Sequence, residues 1–161
     1  MKKLYFALLL ISPYFLFAQT TINLQDSEDN ISGGSYELTT SSSDAVDVPF
    51  EIKNTGASDA NWRITRLKMD VPGGWSDLMC WGHATDPFGG TCFSSSQMAG
   101  NPWTTPNGTS FTVGPNEYGK LKITISPEDG ASGLGHYRYY ISNDGVNYID
   151  SVDIKFDYSL S

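Results

Sequence analysis

The residues whose side chains could do chemistry crowd into one stretch, GGWSDLMCWGHATDPFGGTCF, from Gly73 to Phe93. It holds both cysteines of the chain, Cys80 and Cys92, together with His83, Trp75 and Trp81. Three chemistries are open to such a set. His83 with Asp86 and Thr91 could form a hydrolytic cluster in which a base activates a hydroxyl. Met79, Cys80, His83, Cys92 and Met98 would suit copper if the thiols were free, because soft sulfur and imidazole favour that metal. The aromatic residues Trp75, Trp81, Phe88, Phe93 and Trp103 could form a binding surface, since exposed rings pack on protein or stack on the faces of sugars.

The first two readings lack the spacing their chemistry needs. No G-x-S-x-G elbow occurs, and the sulfur and imidazole residues lack the closely paired ligands of a metal motif. Two cysteines in an exported chain predict one disulfide, with a loop whose closure stabilises the fold by about 3 kcal/mol. Acidic turns such as Asp144 with Asn143 and Asn147, or Glu128 with Asp129, could hold calcium. No D-x-D-x-D-G loop is present, and turn chemistry explains these residues equally well. The expectation is therefore a non-catalytic loop, clamped by Cys80 and Cys92 and needing no cofactor. Trp81, His83 and Phe88 are its expected tip contacts and Trp103 its flank. Trp75, directly after the VPGG turn, is expected to plug the fold beneath it.

The opening residues, MKKLYFALLLISPYFLFAQ, have the three parts of a secretory signal: Lys2 and Lys3, an apolar run from Leu4 to Phe17, and Ala18 before a cut. The run is interrupted by Ser12 and Pro13 and falls short of the roughly 20 apolar residues a membrane span needs. No cysteine follows it to carry a lipid. Residues 1–18 are thus read as a signal peptide and 19–161 as one domain in the periplasm, at the cell surface or outside the cell. The chain has 18 acidic and 10 basic residues, a net charge of −8. Without a basic stripe to release counterions from phosphates, nucleic acid is an improbable partner class.

The elements that must carry the loop read as strands. Thr20 to Leu24 and Tyr36 to Thr40 are short candidates. Val46, Val48, Phe50 and Ile52 alternate with polar residues, and Pro49, lacking an amide hydrogen, places this strand at an edge or a bulge. Trp62, Ile64, Leu67 and Met69 alternate with one skip, which a bulge near Thr65 would absorb. Trp62 is the expected core tryptophan. Further strands fall at 110–115, 117–127 and 136–142, and Asn143-Asp144-Gly145 is a strong hairpin turn before the run with Val152, Ile154, Phe156 and Tyr158. About seven short strands with no helical period describe a single antiparallel β-sandwich. Its free edges could pair strands between copies, so an oligomer is possible.

The order NWRIT, VPGGWSDLMCWG, TCF, FTVGPNEYGKLKITISPEDGASGLGHYRYYISNDG and DSVDIKF resembles the immunoglobulin-like, fibronectin type III-like domains of secreted Bacteroidetes proteins. Many of those domains occur in proteins handled by the type IX secretion system. The sequence stops at FDYSLS without the carboxy-terminal sorting domain such cargo carries, so a periplasmic, surface-associated or accessory role is expected instead. The resemblance implies a β-sandwich without enzymatic residues. Function is accordingly expected to be contact with a protein partner at the envelope. A carbohydrate-binding module using the exposed rings is the first alternative, and a periplasmic copper protein the second.

Overall fold

The computed structural model describes residues 19–27, 29–87, 89–127 and 131–159; the expected signal segment, Phe88, Glu128 and Asp129 lie outside the described residues. The fold is all-β and immunoglobulin-like, two facing sheets with the core between them. The strands are β1 Thr20–Leu24, β2 Ser35–Thr40, β3 Val46–Asn54, β4 Ala60–Asn61, β5 Arg63–Asp70 and β6 Ser76–His83. They continue with β7 Thr91–Phe93, β8 Trp103–Thr104, β9 Thr112–Val113, β10 Tyr118–Ser126, β11 Gly133–Ser142 and β12 Tyr148–Tyr158. That is more than the seven expected, because short pieces such as β4, β7, β8 and β9 carry no period of their own. One sheet runs β1-β3-β10-β6-β7 and the other β2-β12-β11-β5-β8, while β4 and β9 form a small ribbon.

The period-2 runs form the elements they predict. In β10, Leu121, Ile123 and Ile125 are buried and Lys120, Lys122 and Thr124 face out. In β12, Val152, Ile154, Phe156 and Tyr158 are buried against them from the other sheet. Burying side chains of this size is worth about 1.5–3 kcal/mol each, which fixes register, since a one-residue slip would turn the whole set into water. Trp62 is buried immediately before β5, as expected of the core tryptophan.

Two local expectations are corrected. β3 is not an edge strand: it lies between β1 and β10, and Pro49 is paired opposite Lys122. Its missing N–H is harmless because β1 pairs with β3 only as far as Phe50. The Pro49 carbonyl, which projects to the same side as the nitrogen, accepts from the Gln25 amide at 3.0 Å just beyond that ladder. The bulge near Thr65 is likewise absent; β5 and β11 stay in register from Ser142↔Arg63 to Tyr137↔Lys68, and the shift falls between His136 and Tyr137. Without the bulge, Arg66 and not Leu67 turns into the core, and Met69 is left 46% exposed.

The buried arginine is neutralised across the sandwich. Asp77 of β6 accepts from Arg66 Nη1 at 2.9 Å on each carboxylate oxygen, and Lys68 Nζ lies 2.8 Å from Asp77 Oδ1. Arg66 Nη2 donates to the carbonyls of Met98 and Gly100, which ties the 94–102 segment to the two sheets. Tyr137 and Tyr139 are buried in the same core. Burial first, and the Asp77 charge second, raise both phenols above their ordinary pKa.

Candidate functional site

The disulfide stretch is a hairpin and not a loop hung from the sandwich. Leu78 to His83 belong to β6, and β7 returns alongside with Met79↔Phe93, Cys80↔Cys92 and Trp81↔Thr91 as cross-strand pairs. Alternation across the strand then decides each side chain's fate. Met79, Trp81 and Phe93 point into the core, while Cys80 and Cys92 meet on the outer face and are bonded, with Cα atoms 3.9 Å apart. The expected disulfide is present. It braces the two strands at mid-hairpin.

Residues 84–87, 89 and 90 fold back against the hairpin. The His83 amide donates to Asp86 Oδ2 at 2.8 Å, and the Asp86 amide donates to the His83 carbonyl at 2.9 Å. Gly90, at φ +86°, brings its backbone against Gly82 so closely that a Cβ there would fall 2.2 Å from Gly82 Cα and from the Trp81 carbonyl. Only glycine fits that contact. Between the folded-back segment and the outer face of β3 and β10 lies an open cleft of about 410 Å³, lined in part by Gln25, Pro49, Asp86, Pro87, Lys120 and Lys122. Lys122 also lies 3.4 Å from Asp47.

The expected contact residues are dispersed. Trp81 is corrected from a tip contact to a core residue: it is 1% exposed, its ring lies 4.8 Å from that of Phe111, and Gly119 faces it because a Cβ there would fall 2.4 Å from the indole. Trp75 is buried as expected, donating from Nε1 to the Ala131 carbonyl at 2.7 Å and meeting Phe156 edge-on. His83 is half-buried at the base of the turn, and Trp103 is half-buried at the seam between the sheets, 4.9 Å from Phe93. Phe88 lies outside the described residues. The large apolar side chains that are exposed include Val146, Tyr148 and Ile149 at the β11–β12 turn, where Tyr148 stacks on Tyr140 at 4.0 Å. Turn chemistry alone drew attention to that segment in the sequence.

The chemical alternatives fare differently in space. The imagined hydrolytic cluster does not assemble: Asp86 holds the His83 backbone, not its ring, and Thr91 lies on β7 opposite Trp81. The ring's Nδ1 instead meets the Thr85 hydroxyl at 2.9 Å and amide at 3.3 Å, a local turn, and Nε2 stands 3.7 Å from Glu117. The copper set is broken up, because Met79 and Met98 are in the core while both thiols are consumed on the outer face. Among the described residues, no group of three or more His, Cys, Asp or Glu side chains is placed to hold a metal. The Asp144 carboxylate is occupied by its own turn, accepting from the amides of Val146 and Asn147 and from the Asn147 side chain, and these bonds hold its pKa down at about 2.

No protein-family model matches the chain, and no curated protein matches it. Among solved structures it is similar to the N-terminal domain of PorA, with a TM-score of 0.62 and 14% identity over 88% of this chain and 98% of that one. It is also similar to AvmM, a protein that catalyses macrocyclization in alchivemycin A biosynthesis, with a TM-score of 0.50 and 5% identity over 90% and 91% of the two chains. A family 123 glycoside hydrolase from Clostridium perfringens matches at TM-score 0.50 and 11% identity, with 88% of this chain against 27% of the enzyme. Structural likeness at identities this low shows a shared fold alone. Function is a property of sites grafted on such a fold.

Proposed function

We propose that this chain is an exported, non-catalytic binding module that contacts a protein partner at the cell envelope through the disulfide-braced β6–β7 hairpin. The observation that carries this reading is the hairpin's rigidity. The Cys80–Cys92 bond, the Asp86 hydrogen bonds and the Gly82–Gly90 backbone contact leave the turn little freedom to lose when a partner engages it. The cleft beside it, with Lys120 and Lys122, would receive an acidic side chain of that partner in a protein otherwise of net charge −8. His83 and Trp103 are the contacts proposed at its margins. The oxidised cysteine pair supports export. A glycan-stacking role for this stretch is less favoured because Trp75, Trp81 and Phe93 are inside the sandwich.

Capture from a native envelope extract tests the proposal. The bait proteins are wild type, a His83→Ala/Thr85→Arg variant of the turn, and a Val146→Asp/Tyr148→Ala variant of the other exposed surface. A protein captured by wild type and the second variant but lost by the turn variant is the expected result. Loss only in the Val146→Asp/Tyr148→Ala variant would move the site to the β11–β12 turn. Polysaccharide alone on all three would replace the protein partner with a glycan.

A further inference from the structure

Among the described residues, three of the four sheet margins carry capping contacts and the fourth does not. β1 is covered by the chain that follows it: the Ile31 amide donates to the Ile22 carbonyl, and the Ile22 amide to Ser32 Oγ, both at 2.8 Å. On the opposite margin, β5 is closed beyond β8 by the Asn101 side chain, which donates to the Lys68 carbonyl and accepts from its amide. Thr105 caps Ile64, its amide donating to the Ile64 carbonyl and its hydroxyl accepting from the Ile64 amide, and Ser95 Oγ both donates to the Asp77 carbonyl and accepts from its amide. Side chains thus stand in for missing strands.

Among the described residues, β2 has no such cover. It runs parallel to β12, its neighbour in the sheet, with Tyr36, Leu38 and Thr40 opposite Ile154, Phe156 and Tyr158. The Gly34 carbonyl accepts from Asp153 and the Thr40 carbonyl from Ser159, so the even-numbered residues turn their main-chain groups toward β12. In a strand the N–H and C=O of one residue project to the same side and alternate from residue to residue. The amides and carbonyls of Ser35, Glu37 and Thr39 therefore point away from the sheet, and these three residues are exposed. No proline, lysine or bulge blunts this row, in contrast to the devices that usually guard an edge.

We propose that β2 pairs with β2 of a second copy of this chain, antiparallel and with Leu38 opposite Leu38, so that two sandwiches share one continuous sheet. The edge is self-complementary, as a two-fold contact requires. In this register the outward groups of Glu37 meet those of Thr39 on the other copy, and the reverse, so each residue finds a donor and an acceptor. Glu37 brings no unbalanced charge to the contact, because Lys155 of its own copy lies 2.8 Å away, and it faces threonine, not glutamate. The half-buried Leu38 side chains, which have one open flank, cover each other on the inner side. Because each copy carries a net charge of −8, association strengthens as salt screens the repulsion. This surface lies on the margin away from the disulfide hairpin and stands independently of its role.

Sedimentation of the purified protein from the order of micromolar to the order of millimolar tests the proposal, since an edge contact of this size belongs in that range. The mass is expected to rise from monomer to dimer with concentration, and further in high salt. Thr39→Pro removes an outward amide that β12 does not use, so it is expected to abolish the dimer and keep the monomer's thermal midpoint. Leu38→Cys is expected to give a disulfide-linked dimer on oxidation, because directly opposed residues of this kind sit about 4.5 Å apart at Cα. A wild type that stays monomeric throughout, or a folded Thr39→Pro that dimerises like wild type, overturns the proposal. Should Thr39→Pro fail to fold, wild-type amide exchange decides: slowing at Glu37 and Thr39 with concentration supports the pairing, and unchanged exchange refutes it.

Discussion

The two margins of this sandwich solve the same physical problem in opposite ways. At the β7–β8 margin the strands are held by a covalent bond, a buried ion pair and side-chain hydrogen bonds: Cys80–Cys92, Arg66–Asp77, Asn101 with Lys68, Ser95 with Asp77. At the β1–β2 margin, β1 is covered by Ile31 and Ser32, and among the described residues nothing covers the outward main chain of β2. A sheet edge is a template for another strand unless something occupies it. The contrast teaches that rigidity is concentrated where the hairpin is displayed and pairing capacity is kept where nothing else is displayed.

The largest expected effect would break the closed margin from inside. Asp77→Ala leaves Arg66 charged in the core and should cost about 3–5 kcal/mol in denaturant unfolding. The double change Arg66→Met/Asp77→Leu should recover most of that loss, because the cost lies in the unpaired charge more than in the missing bridge. Trp81→Ala belongs to the same scale, about 3–5 kcal/mol, since its indole fills the space opposite Gly119. That change therefore reports on folding before it can report on binding.

Next comes the disulfide. Replacing Cys80 and Cys92 by serine together should lower stability by about 3 kcal/mol. Amide exchange should quicken in β6 and β7 and stay as it was in β2; equal quickening at both margins would erase the distinction drawn above.

Smaller effects come from the outer face of the second sheet. Arg138, hydrogen-bonded to Asp153, holds that carboxyl below its ordinary range, and the turn amides do the same for Asp144. Both native pKa values lie below the unfolded ones. Their stabilisation is complete above the ordinary carboxylate range and is lost as pH falls toward 2. Thermal midpoints of wild type should decline over that window, and Asp153→Asn/Asp144→Asn should flatten the decline. Smallest of all is Lys155→Met. An exposed pair with Glu37 adds little to stability, so folding should barely change, whereas the dimer contact should weaken once Glu37 is left charged.

What the residues reveal in advance depends on whether neighbours or distant partners decide the outcome. Val46 to Ile52 and Leu121 to Ile125 disclose their strands because alternation is written into consecutive side chains. The disulfide was legible from two cysteines together with the reading of residues 1–18 as a signal peptide. Arg66 was not, since an inward arginine breaks the pattern that defines inward; Asp77 sits eleven residues away and no local signal joins them. Trp81 misled for a different reason. Glycine, aspartate and proline crowd the stretch around it, so a strand from Ser76 to His83 reads as loop unless the run Leu78-Met79-Cys80-Trp81 is weighed alone. The parallel return of β2 has no local signature, because strand direction belongs to the topology.

That topology also sets an order of events. β2 is made early in synthesis, yet the strand it pairs with, β12, spans Tyr148–Tyr158 and is made more than a hundred residues later. Thr20 in β1 waits equally long for the Asp150 carboxylate it donates to at 3.0 Å. Closing contacts this distant is the slow part of folding a β protein. Until β12 is made, β2 has both of its edges unpaired and is open to wrong pairing for most of the chain's synthesis.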